Sequence, residues 1–375
     1  MNVKRILAIS LTVLMLLSFC VPAALAYGDA GGDQPYGLAK GYVRTKETHK
    51  NSDGETITTT RSYNKQGTLL KEVDTYKNSD YTSTSTTAFV YGKNGKIAKE
   101  TYVSQNSDGE SNKTVTLYTY DKKGNMIQEK VSAGEESYTV KYTYDKKGNP
   151  IKEVDYFNTG VSVTTIAYNS KGEETKRISR TDYEDNTWSK STYSAAYNEK
   201  GDPVKIVLTD ASSAGDKDKL VTVYAYDKKG LLTKRVETST GNRHLSSTET
   251  IVFTHDRNGH TTKEVAKRKF EDGSYNVNTT VYVIDSKGKT LKQASTLKSS
   301  NKYDNSKTTI TFAYDKKGNL TQEISIFKGH DGTTKDVDTY TYDKVGNLLK
   351  HVNDYQFEGG SSRSIWTYKY QKIAA

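Results

Sequence analysis

Between Tyr138 and Tyr144 the chain alternates strictly. Tyr138, Val140, Tyr142 and Tyr144 share one parity, and Thr139, Lys141 and Thr143 share the other. A period of two puts the rings on one face of a strand and the Thr/Lys set on the opposite face. Tyr, Val and Thr also suit strands intrinsically. Asp145-Lys146-Lys147-Gly148 follows, with the residue preferences of a type I turn. A glycine in the left-handed region then makes the bulge that matches strand twist. A side chain there would cost about 1 kcal/mol or more. Beyond the turn a second, less apolar strand begins, as in Leu320 to Ile326 or Leu348 to Val352.

This two-strand unit recurs. Tyr-Asp-Lys-Lys-Gly stands at Tyr120 to Gly124, Tyr144 to Gly148, Tyr226 to Gly230 and Tyr314 to Gly318. Looser copies start at Tyr63, Tyr91, Tyr168, Tyr197 and Tyr342, and two keep the frame without tyrosine, at His255 and Ile284. The eleven turn glycines, from Gly67 to Gly346, are spaced by 24 to 30 residues. Trp366 to Tyr370 reads as one last incoming strand. A second kind of turn joins the units and is rich in Gly, Asn, Ser and acid, as in Asn51 to Glu55, Asn106 to Glu110 and Glu271 to Ser274. Asp210 to Lys219 and Lys298 to Lys307 read as longer, mobile loops. Consecutive hairpins with short links predict an all-β antiparallel meander of some twenty strands, each beside its sequence neighbour. Accumulated twist should coil such a sheet into a spiral, an open barrel-like shell or a solenoid.

The N-terminus follows different rules. Lys4 and Arg5 precede the apolar run Ile6 to Val21, and Ala24-Leu25-Ala26 has the small-x-small form of a cleavage site. Residues 1–26 therefore read as a signal peptide, residues 27–40 as a flexible leader, and residues 41–375 as one β-hairpin repeat domain. Alternatives are an uncleaved anchor, or lipidation at Cys20, the single cysteine. Cleavage after Ala26 removes two positive charges and lowers the formal net charge from +10 to +8. That modest basic bias is not a nucleic-acid signature. Only 33 % of residues are hydrophobic, yet 29 are tyrosine. A tyrosine buries a large ring while keeping its hydroxyl hydrogen-bonded, so a thin, half-exposed sheet is feasible where a thick core is not.

Chemistry is sparse. His49, His244, His255, His260, His330 and His351 form no helix-borne metal motif, and His255 reads as a replacement for the repeat tyrosine. The Asn51 and Asn106 loops lack a full calcium ligand series. No catalytic residue, cofactor or metal is expected, and the chain reads as a non-enzyme. The repeat-turn residues Asp121, Gly124, Asp145, Gly148, Asp227, Gly230, Asp315, Gly318, Asp343 and Gly346 read as structural, each aspartate capping its own turn. In a meander all turns of one kind share a rim. Lys122, Lys123, Lys146, Lys147, Lys228, Lys229, Lys316 and Lys317 should therefore line one edge, as a surface for an anionic polymer or as solvated lysines. Acidic linker turns should line the other edge.

Tyr-x-Tyr-Asp-x-x-Gly-Asn-Leu, best matched at Tyr314 to Leu320 and Tyr342 to Leu348, resembles the YD repeats of Rhs-type proteins. The resemblance spans roughly residues 57–370. The longer step, the lysine-rich turn and the missing arginine before the tyrosine depart from that pattern. It implies a coiled β scaffold at the cell surface with binding or encapsulating roles. The expected function is an exported, secreted or surface-held scaffold that binds protein or polymer. The alternative is a carbohydrate-binding protein that holds cell-wall glycan with exposed tyrosines and the basic rim. Expected partners are a wall glycan, an anionic surface polymer or another surface protein, with no nucleic acid and no membrane span after cleavage. Charge on both parities, as in Lys152 to Asp155 and Thr175 to Arg180, argues against an outer-membrane barrel, because a lipid-facing charge costs about 2–4 kcal/mol.

Overall fold

The structure is a computed structural model, described here for Leu38, residues 41–243 and residues 245–373. The expected signal peptide, nearly all of the leader, and His244 lie outside the described residues. Residues Gly37–Ala375 form a single unit. Among the described residues there are twenty-four strands, from β1 (Tyr42–Asn51) to β24 (Gly360–Lys372).

Local sequence explains each hairpin. In the turn after Tyr120, Gly124 N donates to Asp121 O at 3.0 Å and Asp121 N donates to Asn125 O at 2.8 Å. The ladder register shifts between Thr119 and Tyr120, which is the expected bulge. Gly124 has φ +86°, a backbone that L side chains rarely adopt. All eleven repeat glycines fall between φ +74° and +100°. Every strand pairs antiparallel with its sequence neighbours, as the meander requires.

The sheet does not end in free edges. β1 pairs with β24 over nine residue pairs, from Tyr42↔Lys372 to Asn51↔Ser364, with one bulge at Thr45. The meander is therefore a closed barrel, and the expected spiral, open shell or solenoid is corrected on this point. Closure removes the two edges that a coiled sheet would leave open to aggregation. No strand packs on any strand other than its two ladder neighbours. Among the described residues, only Val131, Val140, Leu320, Leu348 and Val352 are buried apolar side chains. The barrel wall is thus one sheet thick around an interior with no packed core. A circular section of 24 strands at usual spacing and tilt would be about 45–50 Å across. The first expected long loop is mostly strand, whereas the second keeps a connection over residues 300–305. Pro203–Ser212 and Lys217–Tyr226 leave only residues 213–216 between them, and Thr290–Ser299 is followed by a short 3₁₀ turn, Lys302–Asp304. The Gly and Ser residues of the first suggest a loop locally, but pairing with regular neighbours on both sides overrides that preference.

The repeat tyrosine has a specific task. Tyr120 Oη donates to Ile97 O at 2.8 Å, Tyr144 Oη to Met126 O at 2.6 Å, and Tyr226 Oη to Pro203 O at 2.9 Å. The acceptor is always the second residue after the glycine of the preceding unit. It lies beyond the end of the backbone ladder between units, which for Ile97 begins only at Lys99↔Leu117. Where the hairpins splay at this rim, the phenol replaces the missing backbone bond. Tyr91, Tyr168, Tyr197, Tyr314 and Tyr342 repeat the contact. His255 makes it with Nε2, 2.8 Å from Leu232 O. Ile284 occupies the same frame and has no hydroxyl.

Two opposite substitutions test this stitch. A net hydrogen bond is worth about 0.5–1.5 kcal/mol. Tyr144→Phe should destabilise by about that amount, and Ile284→Tyr should stabilise by a similar amount through Thr261 O. Denaturant midpoints of the folded barrel measure both. If neither midpoint moves, the stitch makes no net contribution.

Candidate functional site

The site is the wall itself and its two rims. The two faces of the sheet differ in shielding. Thr116, Val131, Val140, Ser162, Thr164, Thr222 and Thr280 are buried on the tyrosine face, whereas Val90 on the other face is 57 % exposed and Val283 51 %. Side chains converge on the concave side of a closed sheet, so the tyrosine face lines the interior.

With that orientation fixed, the register sorts the charges. The fourth residue after the repeat glycine points outward and is usually lysine, as at Lys99, Lys152, Lys205 and Lys263. The fifth points inward and is often glutamate: Glu100 opposite Phe89, Glu129 opposite Tyr118, Glu153 opposite Tyr142, Glu323 opposite Phe312. Outward acids on the ladders are rare. Asp182 pairs with Arg180 at 2.6 Å and Asp354 with Arg363 at 3.4 Å, both arginines also outward. Inward arginines pair with inward acids: Arg61 with Glu72 at 2.5 Å, Arg177 with Glu174 at 2.7 Å, and Arg268 with Glu249 at 3.3 Å. The interior is therefore an aromatic and carboxylate wall with scattered arginines, and the exterior is a wall of Lys, Thr and Val. The fixed offset from the glycine carries this sorting in the sequence, and parity alone did not reveal which face turns inward.

The closure seam carries a different set. Tyr340 stacks on His351 at 4.6 Å, His351 on Trp366 at 4.4 Å, and Trp366 on His49 at 4.4 Å, with interplanar angles of 7° to 13°. These rings form a column across four strands, and it crosses from β24 to β1. Arg44 lies over the Tyr368 ring at 4.5 Å beside it.

At the rims, each expected turn aspartate is clamped. Asp145 Oδ1 accepts from Lys147 N at 2.8 Å and Asn149 N at 2.9 Å, and Oδ2 accepts from Asn149 Nδ2 at 2.9 Å. Asp121, Asp315 and Asp343 repeat this pattern. At Asp227 the fourth position is Leu231, which donates only its backbone N–H. At Asn198 the roles are exchanged, and its Nδ2 donates to Asp202 Oδ2 at 3.0 Å. The Asn51 and Asn106 loops use the same device, with Nδ2 donating to Glu55 at 2.7 Å and Glu110 at 3.0 Å. Their acids serve turn geometry, and among the described residues no group of acids, His or Cys is placed to hold a metal. His255 and His260 have separate partners, Leu232 O and Asp256 Oδ2. Lys122, Lys123, Lys146, Lys147, Lys228, Lys229, Lys316 and Lys317 are all exposed on one rim. Some bridge to the next hairpin: Lys147 Nζ donates to Ser170 O at 3.1 Å and Lys317 Nζ to Lys344 O at 2.7 Å.

No family model and no curated protein matches the chain. Solved structures similar to it include a porin-like protein from Bacteroides uniformis, at 12 % identity and TM-score 0.24, covering 88 % of this chain and 96 % of that one. Another is the low-pH structure of Pseudomonas putida OprB, at 9 % identity and TM-score 0.19, covering 88 % of this chain and 93 % of that one.

Several expectations are corrected together. The YD-repeat or Rhs-like assignment, which implies a coiled and open scaffold, is corrected by the closure of the sheet from β24 onto β1. The surface-binding scaffold falls with it, as does the carbohydrate-binding alternative and the wall-glycan, anionic-polymer or surface-protein partners. The rings proposed for stacking on sugars face inward, and the repeat hydroxyls are spent on neighbouring carbonyls. The expectation of no membrane span, which rests on charge at both parities, is corrected: the sheet closes into a barrel, the form in which strands cross membranes. No described helix is long and apolar enough to cross one, which does not bear on strands. A place at the cell surface fits such a barrel, and nothing in it calls for release as a free secreted chain.

The turn carboxyls set a pH dependence. Asp145 is held below its ordinary value of 3.8 first by the backbone N–H of Asn149 and then by its side-chain amide. For Asp121 and Asp315 the side-chain amides of Asn125 and Asn319 lead. A carboxyl depressed on folding stabilises fully above its unfolded value, and this is lost as pH falls through the lower folded value. Unfolding midpoints should therefore hold steady down to about pH 4 and drop below it. Asp145→Ala should lower the midpoint at neutral pH, and Asp145→Asn with Asn149→Asp, which copies Asn198 and Asp202, should restore it. A midpoint that is independent of pH down to about 2 would exclude the clamp as a source of stability.

Proposed function

We propose that the barrel is a porin-like passage for polar solutes at the cell surface, and that it performs no covalent chemistry. The supporting observation is that β24 closes onto β1 around an interior wall of tyrosine, serine, threonine and charged side chains. A closed sheet leaves no unpaired backbone edge, and a polar lining lets water and solutes occupy the interior. Inward carboxylates outnumber inward arginines along β5 (Ile97–Asn106), β7 (Met126–Ala133) and β9 (Pro150–Phe157), where Glu100, Glu129, Glu153 and Asp155 face the interior. Such a wall raises the local concentration of cations.

The exterior sets the condition for a bilayer. Lys130, opposite Leu117 and Thr139, and Lys141, opposite Gln128 and Val154, stand outward in mid-strand. Contact with hydrocarbon at that depth would cost about 2–4 kcal/mol for each lysine. Anionic headgroups offset such charges near the membrane surface.

Flux measurement tests the passage. The folded chain is reconstituted into neutral vesicles and into vesicles containing anionic lipid, and swelling in graded neutral sugars and the reversal potential in a salt gradient are recorded. Uptake of small sugars with a cation-selective potential is expected. Glu100→Gln, Glu129→Gln and Glu153→Gln together should move that potential toward zero while sugar uptake persists. Folded barrels that give no flux in either lipid would overturn the proposal.

A further inference from the structure

The two ends of the barrel carry opposite charge. In a closed meander, successive turns alternate between the two rims. On one rim the repeat turns present exposed lysines, such as Lys122, Lys123, Lys146, Lys147, Lys228 and Lys316. The aspartates of those turns are folded back onto their own backbone N–H groups, so the lysines are what project. On the other rim the linker turns present exposed acids, such as Asp53, Asp108, Glu135, Glu136, Glu271 and Asp272. There the clamping acceptor is often the neutral Asn51 or Asn106, which leaves Asp53 and Asp108 pointing to solvent. Both sets recur at the same interval of two strands around the circumference.

We infer that the barrel associates end to end with further copies of itself, basic rim on acidic rim, into a tube. The charge pattern excludes the other arrangements of copies. Side-by-side contact would press one lysine-bearing exterior against another. A two-fold pairing of like ends would bring lysine turns onto lysine turns, or acidic turns onto acidic turns. Only the head-to-tail arrangement joins opposite charges, and a head-to-tail contact that does not close on itself grows as an open filament. The available area is sufficient. A rim with a circumference of about 150 Å and a width of about 10 Å offers about 1,500 Å² on each copy, above the roughly 800 Å² per partner of a standard interface. Equal turn spacing on both rims lets many charge pairs form at once, and the interiors of stacked copies become coaxial.

This contact does not depend on flux. The rim charges are exposed, so association should be strongest at low ionic strength and screened at high salt, where the Debye length falls from about 30 Å at 0.01 M to about 3 Å at 1 M. The full chain is examined by sedimentation velocity and negative-stain microscopy at both salt levels, with circular dichroism confirming the β fold. Rods of stacked rings with several-fold higher sedimenting mass are expected at low salt, dispersing to single barrels at high salt. Exchanging the eight rim lysines at 122, 123, 146, 147, 228, 229, 316 and 317 for glutamate should leave single barrels at low salt. Adding Asp53→Lys, Asp108→Lys, Glu135→Lys, Glu136→Lys, Glu271→Lys and Asp272→Lys to that variant should bring the rods back, since complementarity is then restored with the ends exchanged. Single wild-type barrels at low salt would overturn the inference. So would rods in the lysine-reversed variant, or wild-type barrels that bind anionic vesicles through these lysines while remaining single in solution.

Discussion

The phenolic hydroxyl that reaches back to a carbonyl of the preceding hairpin is the contact on which the rest of the wall depends. A glycine turn makes a hairpin, but a hairpin alone is marginal in water. Between units the backbone ladder stops short of the lysine-bearing rim, and the tyrosine carries the connection across that gap. Its ring covers the inner surface of the preceding unit while its hydroxyl completes a bond that the backbone cannot make. Repeated around the sheet, this fixes the spacing of neighbouring turns at one rim and keeps the splay uniform. Uniform splay is what allows a long meander to return to its first strand. Tyr63 extends the series to the first strand, donating to Arg44 O at 2.9 Å.

A wall one sheet thick has two surfaces and little core, so the division of charge between them governs what the barrel can contain and touch. Lysine is placed outward and carboxylate inward by adjacent positions in the same strand, because neighbours in a strand point to opposite faces. The outward lysines stand among threonine and valine, along which their methylene stems can lie. Glu100, Glu129, Glu153 and Glu323 sit across from tyrosine or phenylalanine, and several inward carboxylates are bonded by arginine or by a phenol, as Glu100 is by Tyr118 at 3.2 Å. The interior is polar without being uniformly charged, and the exterior carries lysine among threonine and valine, with few acids.

Much of the wall was legible in the residues and its closure was not. The Asp-Lys-Lys-Gly turn, the bulge after it and the shared parity of Tyr138, Val140, Tyr142 and Tyr144 are local, and local signals survive into the fold. The grouping of lysine turns on one rim and acidic turns on the other follows from alternation alone. Closure depends on strand number, accumulated twist and stagger, none of which a single unit encodes. The same limit explains why charge on both parities was read against a barrel. Parity shows that Lys152 and Glu153 face opposite ways, but not that one of those ways is an enclosed interior. Within Asp210 to Lys219, Asp210, Ser212 and Gly215 weigh locally toward a loop, but only residues 213–216 leave the ladder, because the pairing partners on both sides are regular strands.

Near-identical units raise a problem of register that the seam resolves. If every hairpin were the same, β1 could pair with the strand one unit short of β24 at almost no cost, and barrels of different strand number would compete. The residues at the closing pair are therefore unlike the repeat. Trp366 and His49 face each other across the seam, His351 lies on the other side of Trp366, and Arg44 covers Tyr368. An offset of one unit would place His49 opposite a strand without the tryptophan and would break the column of rings. Cross-strand aromatic pairs are each worth a fraction of a kcal/mol to about 1 kcal/mol; of the three in the column, His49–Trp366 is the one that crosses the seam, and with Arg44 over Tyr368 it favours one closure over a neighbouring one. The seam thus supplies a distinct end to a sheet whose interior repeats give no reason to stop, and His49, His351 and Trp366 mark the place where the chain meets itself.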